Sequence, residues 1–206
     1  MARRDHSLDD KIVTAAREEF SEKGYAGASL RKIAERAGVT VGAIQIRYRS
    51  KDELFFSLLK PFLDEIEALF QNTKADYYSE ADFSAGLKAS MRLESEAILH
   101  LIFGHYEEAV LLICRSGGSG LEHYFDAVVQ NKIKESIDFF RNTGFAVIDE
   151  TLLGLLISAQ FDSYRRIVTE CRDRKTAEEY MESLMIYHFG GWTAFFDSVN
   201  KSREDK

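Results

Sequence analysis

The sequence predicts an all-helical protein, and three observations support this prediction. Apolar residues recur at the three- and four-residue spacing of a helix face along nearly the whole chain of 206 residues. Proline occurs once, at Pro61, and strand-like alternation bounded by turn residues is hard to find. Hydrophobic residues make up 45% of the chain and charged residues 30%, an ordinary balance for a globular protein.

The first predicted helix covers about residues 8–23 and carries one apolar stripe. Ser7 is expected to cap its N-terminus, with Asp10 three residues later in the capping position, and Gly24 is expected to end it. The stripe consists of residues at positions i, i+3, i+4 and i+8, namely Ile12, Ala15, Ala16 and Phe20.

Two short helices follow, over about residues 30–37 and 41–48. Ser29 and Thr40 have the side chains that cap helix N-termini, and Gly38 ends the first of the two helices. Two helices joined by a tight turn with glycine form the helix-turn-helix pattern, in which the second helix enters the DNA major groove. The spacing alone leaves open a helical hairpin in an ordinary bundle, with a solvated basic face.

A fourth helix is predicted from the capping box Ser50–Glu53 to about Asn72. Pro61 lies inside it and lacks a backbone N–H, which predicts a kink; we hypothesise that bending of this inter-domain helix occurs there. Thr176 and Glu179 form another capping box. Five further helices are predicted, at residues 81–101, 105–115, 120–142, 149–172 and 176–199.

The charge of the chain is divided unequally between its two parts. Residues 1–51 contain 11 Lys and Arg against 7 Asp and Glu, whereas residues 52–206 contain 16 against 27. A basic module attached to an acidic body is typical of a nucleic-acid contact at the basic end. We therefore predict a DNA-binding domain over residues 1–51 and a second helical domain over residues 52–206.

The amino-acid composition also indicates where in the cell the protein is located. Residues 1–8 are charged and precede no apolar run, which argues against a secretory signal, and no segment approaches about 18 consecutive apolar residues. Cys114 and Cys171 lie far apart, which suits free thiols in a reducing cytosol, and apolar neighbours predict that Cys114 is buried. A cytoplasmic protein without a membrane partner is expected.

The outward face of the third helix carries residue types that read DNA. Gln45 can bond an adenine edge, Arg47 can reach guanine or a phosphate, and an exposed Ile46 suits a thymine methyl. Lys51 begins the fourth helix, where the helix dipole favours a phosphate. With small residues that permit close approach, the predicted DNA contacts are Ser29, Thr40, Val41, Gly42, Ala43, Gln45, Ile46, Arg47 and Lys51.

A specific signature runs from Ser29 to Thr40 and continues through Gly42-Ala43-Ile44 and Tyr48–Leu54. Together with Gly24-Tyr25 and the first apolar stripe, it resembles the DNA-binding domain of the tetracycline-repressor (TetR/AcrR) family of regulators. The family usually has Tyr at position 45, Tyr or Trp at 46 and His at 47. These positions lie at the groove, where the operator is read.

The resemblance implies a C-terminal domain that dimerises through its last two helices and has a small-molecule pocket. Broad apolar coverage of those two helices agrees with dimerisation; the predicted interface residues are Leu155, Ala159, Leu184, Tyr187, His188, Gly191, Trp192 and Phe195. Aromatic and polar residues near apolar stretches supply pocket candidates, namely Phe62, Arg92, Phe103, Tyr106, Tyr124, Phe125 and Phe161.

The function implied is that of a ligand-responsive regulator, a repressor by the commoner mode of the family, which binds a palindromic operator as a dimer. A small molecule releases it. The sequence contains no Gly-rich phosphate loop, nucleophile elbow or metal-binding helix, so we expect no catalytic residue, cofactor or metal. An all-helical enzyme and a protein-interaction module remain the alternatives.

Overall fold

The computed structural model describes residues 6–72, 83–143, 148–171 and 173–204. Within these residues all regular structure is helical, which confirms the predicted all-α class. The nine helices are α1 (His6–Gly27), α2 (Leu30–Ala37), α3 (Val41–Arg47), α4 (Lys51–Asn72), α5 (Phe83–Gly104), α6 (Tyr106–Cys114), α7 (Tyr124–Thr143), α8 (Glu150–Glu170) and α9 (Arg174–Glu204).

The chain forms two compact units. The N-terminal unit extends to Glu65 and also includes Glu107–Tyr124, and the C-terminal unit comprises Ile66–Tyr106 and the chain from Phe125 onwards. The N-terminal unit is therefore larger than the predicted 51 residues. The first half of α4 supplies buried residues to it, and α6 joins it from a distant part of the sequence.

The core of the N-terminal unit forms around the predicted apolar stripe of α1. Phe20 is fully buried, and its ring lies 4.8 Å from that of Phe55 on α4, which in turn lies 5.2 Å from Tyr25. Ile33 of α2 and Ile44 of α3 are also fully buried. Hydrophobic burial thus fixes all four helices to one another.

Gly24 has the predicted role of interrupting α1, with a left-handed φ of 66° that favours glycine. The next residue, Tyr25, donates its backbone N–H to the Arg115 carbonyl oxygen at 2.7 Å. The described part of α1 already includes His6, so the prediction that Ser7 caps α1 is wrong. Ser7 lies within the helix, which extends at least two residues before the predicted start.

The segment around α6 contacts α1 through polar groups. Arg17 of α1 forms an ion pair with Glu108 at 2.5 Å, and the Gly120 N–H donates to Asp52 of α4 at 3.2 Å. Cys114 ends α6 and is exposed, so the prediction of a buried thiol is wrong. Its buried neighbours Leu111 and Leu112 occupy the inward face of the helix, whereas Cys114 lies outside it.

The C-terminal unit is a helical bundle whose core contains stacked and tilted aromatic rings. The ring centre of Phe140 on α7 lies 5.3 Å from that of Phe196 on α9. The ring centre of Phe161 on α8 lies 5.8 Å from that of the buried Tyr164. The cap of α9 is Asp173, which accepts the Thr176 N–H at 2.9 Å. The predicted cap, Thr176, lies one turn further on because Asp173 performs that role first.

Among the described residues, no single helix is long and apolar enough to cross a membrane. The bent pair Met91–Gly104 and Tyr106–Cys114 meets the length and composition criteria together, as core helices also do. Both helices of that pair contribute buried residues to the fold, including Ile98 and Leu111. Pro61 lies within a single α4 that continues to Asn72.

Candidate nucleic-acid interface and ligand cavity

The turn between α2 and α3 has the predicted cap at each end. Ser29 accepts the Lys32 N–H at 3.2 Å, and Thr40 accepts the Ala43 N–H at 3.1 Å. Gly38 ends α2 with a left-handed φ of 67°, and its N–H bonds back to α2 carbonyls. These local bonds satisfy the helix ends and fix the angle at which α3 leaves the turn.

The two isoleucines of α3 lie on opposite faces. Ile44 has no exposed surface and anchors the helix in the core, whereas 85% of Ile46 is exposed. Gly42 and Gln45 are also exposed, and Val41 and Ala43 are half-buried. A large exposed apolar side chain beside a glutamine and a glycine forms an outward face that suits contact with base edges.

Arg47, predicted to reach guanine or a phosphate, is engaged within the protein. Its guanidinium forms an ion pair with Asp9 of α1 and also donates to the Ala43 carbonyl oxygen at 3.2 Å. The side chains of both partners are mostly buried. Arg47 therefore connects α3 to α1, and its contact with DNA stays a prediction.

We expect Arg47→Gln and Asp9→Asn each to lower the free energy of unfolding, by about 1–3 kcal/mol for the removal of a charged hydrogen bond. The double variant is expected to be little less stable than either single variant, because both remove the same interaction. Thermal or urea unfolding of the three variants measures this coupling. If the losses of unfolding free energy in the two single variants added fully in the double variant, the ion pair between Arg47 and Asp9 would be contradicted.

Lys51, the predicted phosphate contact, is likewise engaged. Its Nζ donates to the carbonyl oxygens of Tyr25 and Ala28, at 2.8 and 3.0 Å, and lies 4.2 Å from the centre of the Tyr25 ring. The ammonium satisfies carbonyls at the end of α1. Lys51 thus positions α4 against α1, and a phosphate contact by Lys51 remains a prediction.

Two exposed arginines were not among the DNA contacts predicted from the sequence. Arg31 lies in the first turn of α2, and Arg49 lies two residues beyond the end of α3. Across the described residues neither guanidinium forms an ion pair, unlike that of Arg47. Both are candidates for phosphate contacts. Their basic character was visible in the sequence, but their lack of an internal partner required the structure.

Arg36 joins α2 to α1 through three carboxylates. Its guanidinium lies 3.1 Å from the buried Glu19, 2.5 Å from Glu22 and 3.6 Å from Glu18. The hydrogen bond from Arg36 lowers the pKa of Glu22 below its usual range. This cluster fixes the position of α2 on α1.

Arg36→Gln is expected to lower the thermal midpoint at pH 7, because the buried Glu19 loses its partner. The lowered pKa of Glu22 contributes stability above the usual value of 4.5, and this contribution is lost as the pH falls through the folded pKa. The variant should therefore show a weaker acid dependence than wild type. Arg166→Gln, which removes an exposed pair with Glu170, is the control.

The C-terminal unit contains a partly open cavity of about 380 Å³ between α5, α7, α8 and α9. A volume in this range is typical of small-molecule sites. Ten of the residues lining it are apolar or aromatic and eight are polar or charged: Met91, Glu94, Ser95, Ile98, Lys132, Glu135, Ser136, Asp138, Phe139, Phe140, Asn142, Leu153, Ile157, Gln160, Phe161, Phe189, Trp192 and Phe196.

Of the predicted pocket residues, Phe161 lines this cavity. Arg92 is exposed and pairs with Glu96 at 3.0 Å on the surface of α5. Phe62 is in the core of the N-terminal unit, which also contains Tyr124. The remaining predicted residues belong to the C-terminal unit but do not line the cavity, and they are Phe103, Tyr106 and Phe125.

Two polar connections in the cavity were not predicted. Lys132 of α7 forms an ion pair with Glu94 of α5, and the Gln160 side chain joins the Trp192 indole N–H, at 2.6 Å, to the Tyr164 hydroxyl, at 2.7 Å. Burial raises the pKa of Tyr164 to about 12, so the hydroxyl stays protonated. No pattern in the sequence indicates these pairs, because their members lie on different helices or a turn apart.

The predicted dimer residues divide between exposed and internal positions. Leu155 and Tyr187 are 64% and 73% exposed, and Ile186, which was not predicted, is 74% exposed. Trp192 is half-buried and lines the cavity. Ala159 and Gly191 are exposed, and the half-buried members are Leu184, His188 and Phe195. Large exposed apolar residues on α8 and α9 form a surface that suits another protein chain.

The helix-turn-helix packs on a core shared with α1 and α4, and the chain continues into a helical bundle with a cavity. Residues 12–58 match the family described as bacterial regulatory proteins, tetR family. Residues 12–58 thus carry the DNA-binding domain of this family, as the resemblance implied.

Particular relatives agree with this assignment. An HTH-type transcriptional regulator of Staphylococcus aureus is 22% identical over 135 residues, which cover 64% of this chain and 66% of that protein. The chain thus spans about two thirds of that relative's length.

Two solved structures share the fold. A TetR transcriptional regulator family member from Streptomyces coelicolor A3 has a TM-score of 0.64 and 17% identity, covering 87% of this chain and 90% of that one. The regulator FadR from Bacillus subtilis, in complex with stearoyl-CoA, has a TM-score of 0.58 and 18% identity, covering 88% and 98%.

Proposed function

We propose that the protein is a ligand-responsive repressor that binds a palindromic operator as a homodimer and is released from it by a small molecule. The observation that carries this proposal is the outward face of α3. Gln45 and the exposed Ile46 project there from a helix whose other face is anchored by Ile44. Gln45 suits adenine and Ile46 suits a thymine methyl.

A dimer is required because one seven-residue recognition helix contacts few base pairs. Two such helices, related by a two-fold axis, read half-sites about one helical turn apart and so achieve useful specificity. The exposed apolar residues of α8 and α9, including Leu155, Ile186 and Tyr187, supply a surface for the second subunit. Repression is the mode we adopt from the family.

The cavity of the C-terminal unit is the proposed effector site. Apolar and aromatic residues together with polar groups are the usual composition of a small-molecule pocket. The FadR relative is described in complex with stearoyl-CoA, so this fold accommodates a ligand with an acyl chain. The effector would favour a dimer in which the two recognition helices no longer match the operator spacing.

The proposal is tested by measuring binding to mixed-sequence duplex DNA as a function of salt. A regulator with this basic face should bind, and its affinity should fall steeply and log-linearly with salt concentration. The variant Arg31→Gln/Arg49→Gln should reduce that slope by about one for each phosphate that a subunit no longer neutralises. An enzyme or protein-interaction module would show no such binding, and that result would exclude the proposal.

A further inference from the structure

The cavity of the C-terminal unit contains a charged pair that packing alone does not explain. The Glu94 and Lys132 side chains are only 12% and 20% exposed, yet both line the cavity. Removing two charges from water is costly, and such a pair often contributes nothing to stability over apolar residues. A desolvated pair at a cavity wall is therefore a candidate for ligand recognition.

Lys132 has hydrogen-bonding capacity left over. Its ammonium has three N–H donors. In the described part of the chain its one partner is Glu94. The Trp192 indole and the Tyr164 hydroxyl, by contrast, are both joined to Gln160. Lys132 is thus the one cationic residue of the described lining, and it has N–H donors left for a molecule in the cavity.

The cavity is elongated along α7. Its lining on this helix extends from Lys132 to Asn142, which at the helical rise corresponds to roughly 15 Å. Asn142 is exposed and marks the rim, whereas Lys132 lies deeper. Between them α7 contributes Phe139 and Phe140 together with the polar Glu135, Ser136 and Asp138, whereas most lining residues from the other three helices are apolar. The length of the cavity suits an elongated ligand with an apolar part and a polar part.

We propose that the cavity binds an elongated amphiphile whose uncharged carbonyl oxygen, as in an amide, ester or thioester, accepts a hydrogen bond from Lys132. This inference rests on the proposed function, since it defines the chemistry of the effector site. Glu94 balances the charge of Lys132. Of the other two carboxylates in the lining, Asp138 lies 3.7 Å from the Arg141 guanidinium and Glu135 is also engaged in an interaction. A carboxylate head would bring a second negative charge beside Glu94, and an ammonium head a second positive charge beside Lys132.

The test compares three probes with the same chain length and different heads, namely N-methyldecanamide, decanoate and decyltrimethylammonium. Trp192 is the single tryptophan of the sequence and lines the cavity, so its fluorescence reports binding directly. The full-length protein should bind the amide at least about tenfold more tightly than either ion, the ratio that corresponds to one well-placed hydrogen bond to a charged group.

Substitutions of Glu94 and Lys132 test whether this ion pair causes the tighter binding of the amide. Glu94→Gln leaves Lys132 unbalanced, so decanoate should become the tightest probe. Lys132→Met/Glu94→Gln removes both charges without leaving either buried alone, and should weaken amide binding by about tenfold. Arg92→Met removes an exposed ion pair of the same helix, Arg92–Glu96, and should leave every affinity unchanged.

The inference would be overturned if the wild-type protein bound either ion as tightly as the amide. It would also be overturned if the double variant kept the wild-type affinity for the amide, or if no probe changed the fluorescence of Trp192. DNA binding is measured separately. A protein that binds the amide but no DNA would contradict the proposed function and leave the head-group preference intact. Amide binding that does not release bound DNA would contradict only the effector role.

Discussion

Ile44→Ala is expected to destabilise the N-terminal unit by roughly 2–5 kcal/mol, the usual effect of truncating a buried isoleucine. Ile44 is fully buried and fixes α3 against the core. A change of this size is a large part of the 5–15 kcal/mol that stabilises a typical domain. Chemical unfolding followed by circular dichroism measures it, and operator binding should disappear with the fold.

Ile46→Ala is the matched control two residues away on the same helix. Because 85% of Ile46 is exposed, its truncation should change the free energy of unfolding by no more than about 0.5 kcal/mol. Operator affinity should nevertheless fall, by about 1–3 kcal/mol for each thymine that Ile46 no longer reaches. Equal effects of the two substitutions on stability would contradict the assigned orientation of α3.

Leu155→Glu/Tyr187→Glu is expected to convert the protein to a monomer that binds the operator roughly 10²–10⁴-fold more weakly. The first effect follows from placing charges in an apolar interface on α8 and α9, and the second from removing the avidity of two linked half-site interactions. Sedimentation equilibrium gives the mass, and fluorescence anisotropy with a labelled operator gives the affinity.

Leu93→Glu supplies the control for that experiment. Leu93 is a large apolar residue of α5 with 66% exposure, comparable to Leu155, but it lies outside the predicted interface. It should leave the mass and the operator affinity as in wild type. If the α8–α9 variant kept a dimeric mass, the dimer would form through another surface.

Much of the DNA-binding part could be predicted from the sequence, because its signals are local. A capping side chain bonds an N–H three residues away, as Ser29 and Thr40 do, and Gly38 needs a left-handed conformation at a helix end. The buried Ile44 and exposed Ile46 likewise follow from helical period. These features depend on residues within a turn or two of one another.

The internal partners of predicted site residues could not be predicted, because they depend on long-range packing. Arg47 and Asp9 are 38 positions apart, and so are Lys132 and Glu94. Nothing in the spacing of either pair indicates that they meet. Composition showed that aromatic residues were plentiful, but the position of Trp192 in the cavity wall depends on the packing of α9 against α8.

The most direct test of the central claim is selection of bound duplexes from a random DNA pool, with wild type and Gln45→Ala in parallel. We predict that wild type enriches a palindrome and that the variant changes the preferred base at the same position of both half-sites. Such a result would establish a dimeric reader and locate Gln45 at the base edge. Failure of wild-type protein to enrich any sequence at low salt, after removal of bound ligand, would contradict the account.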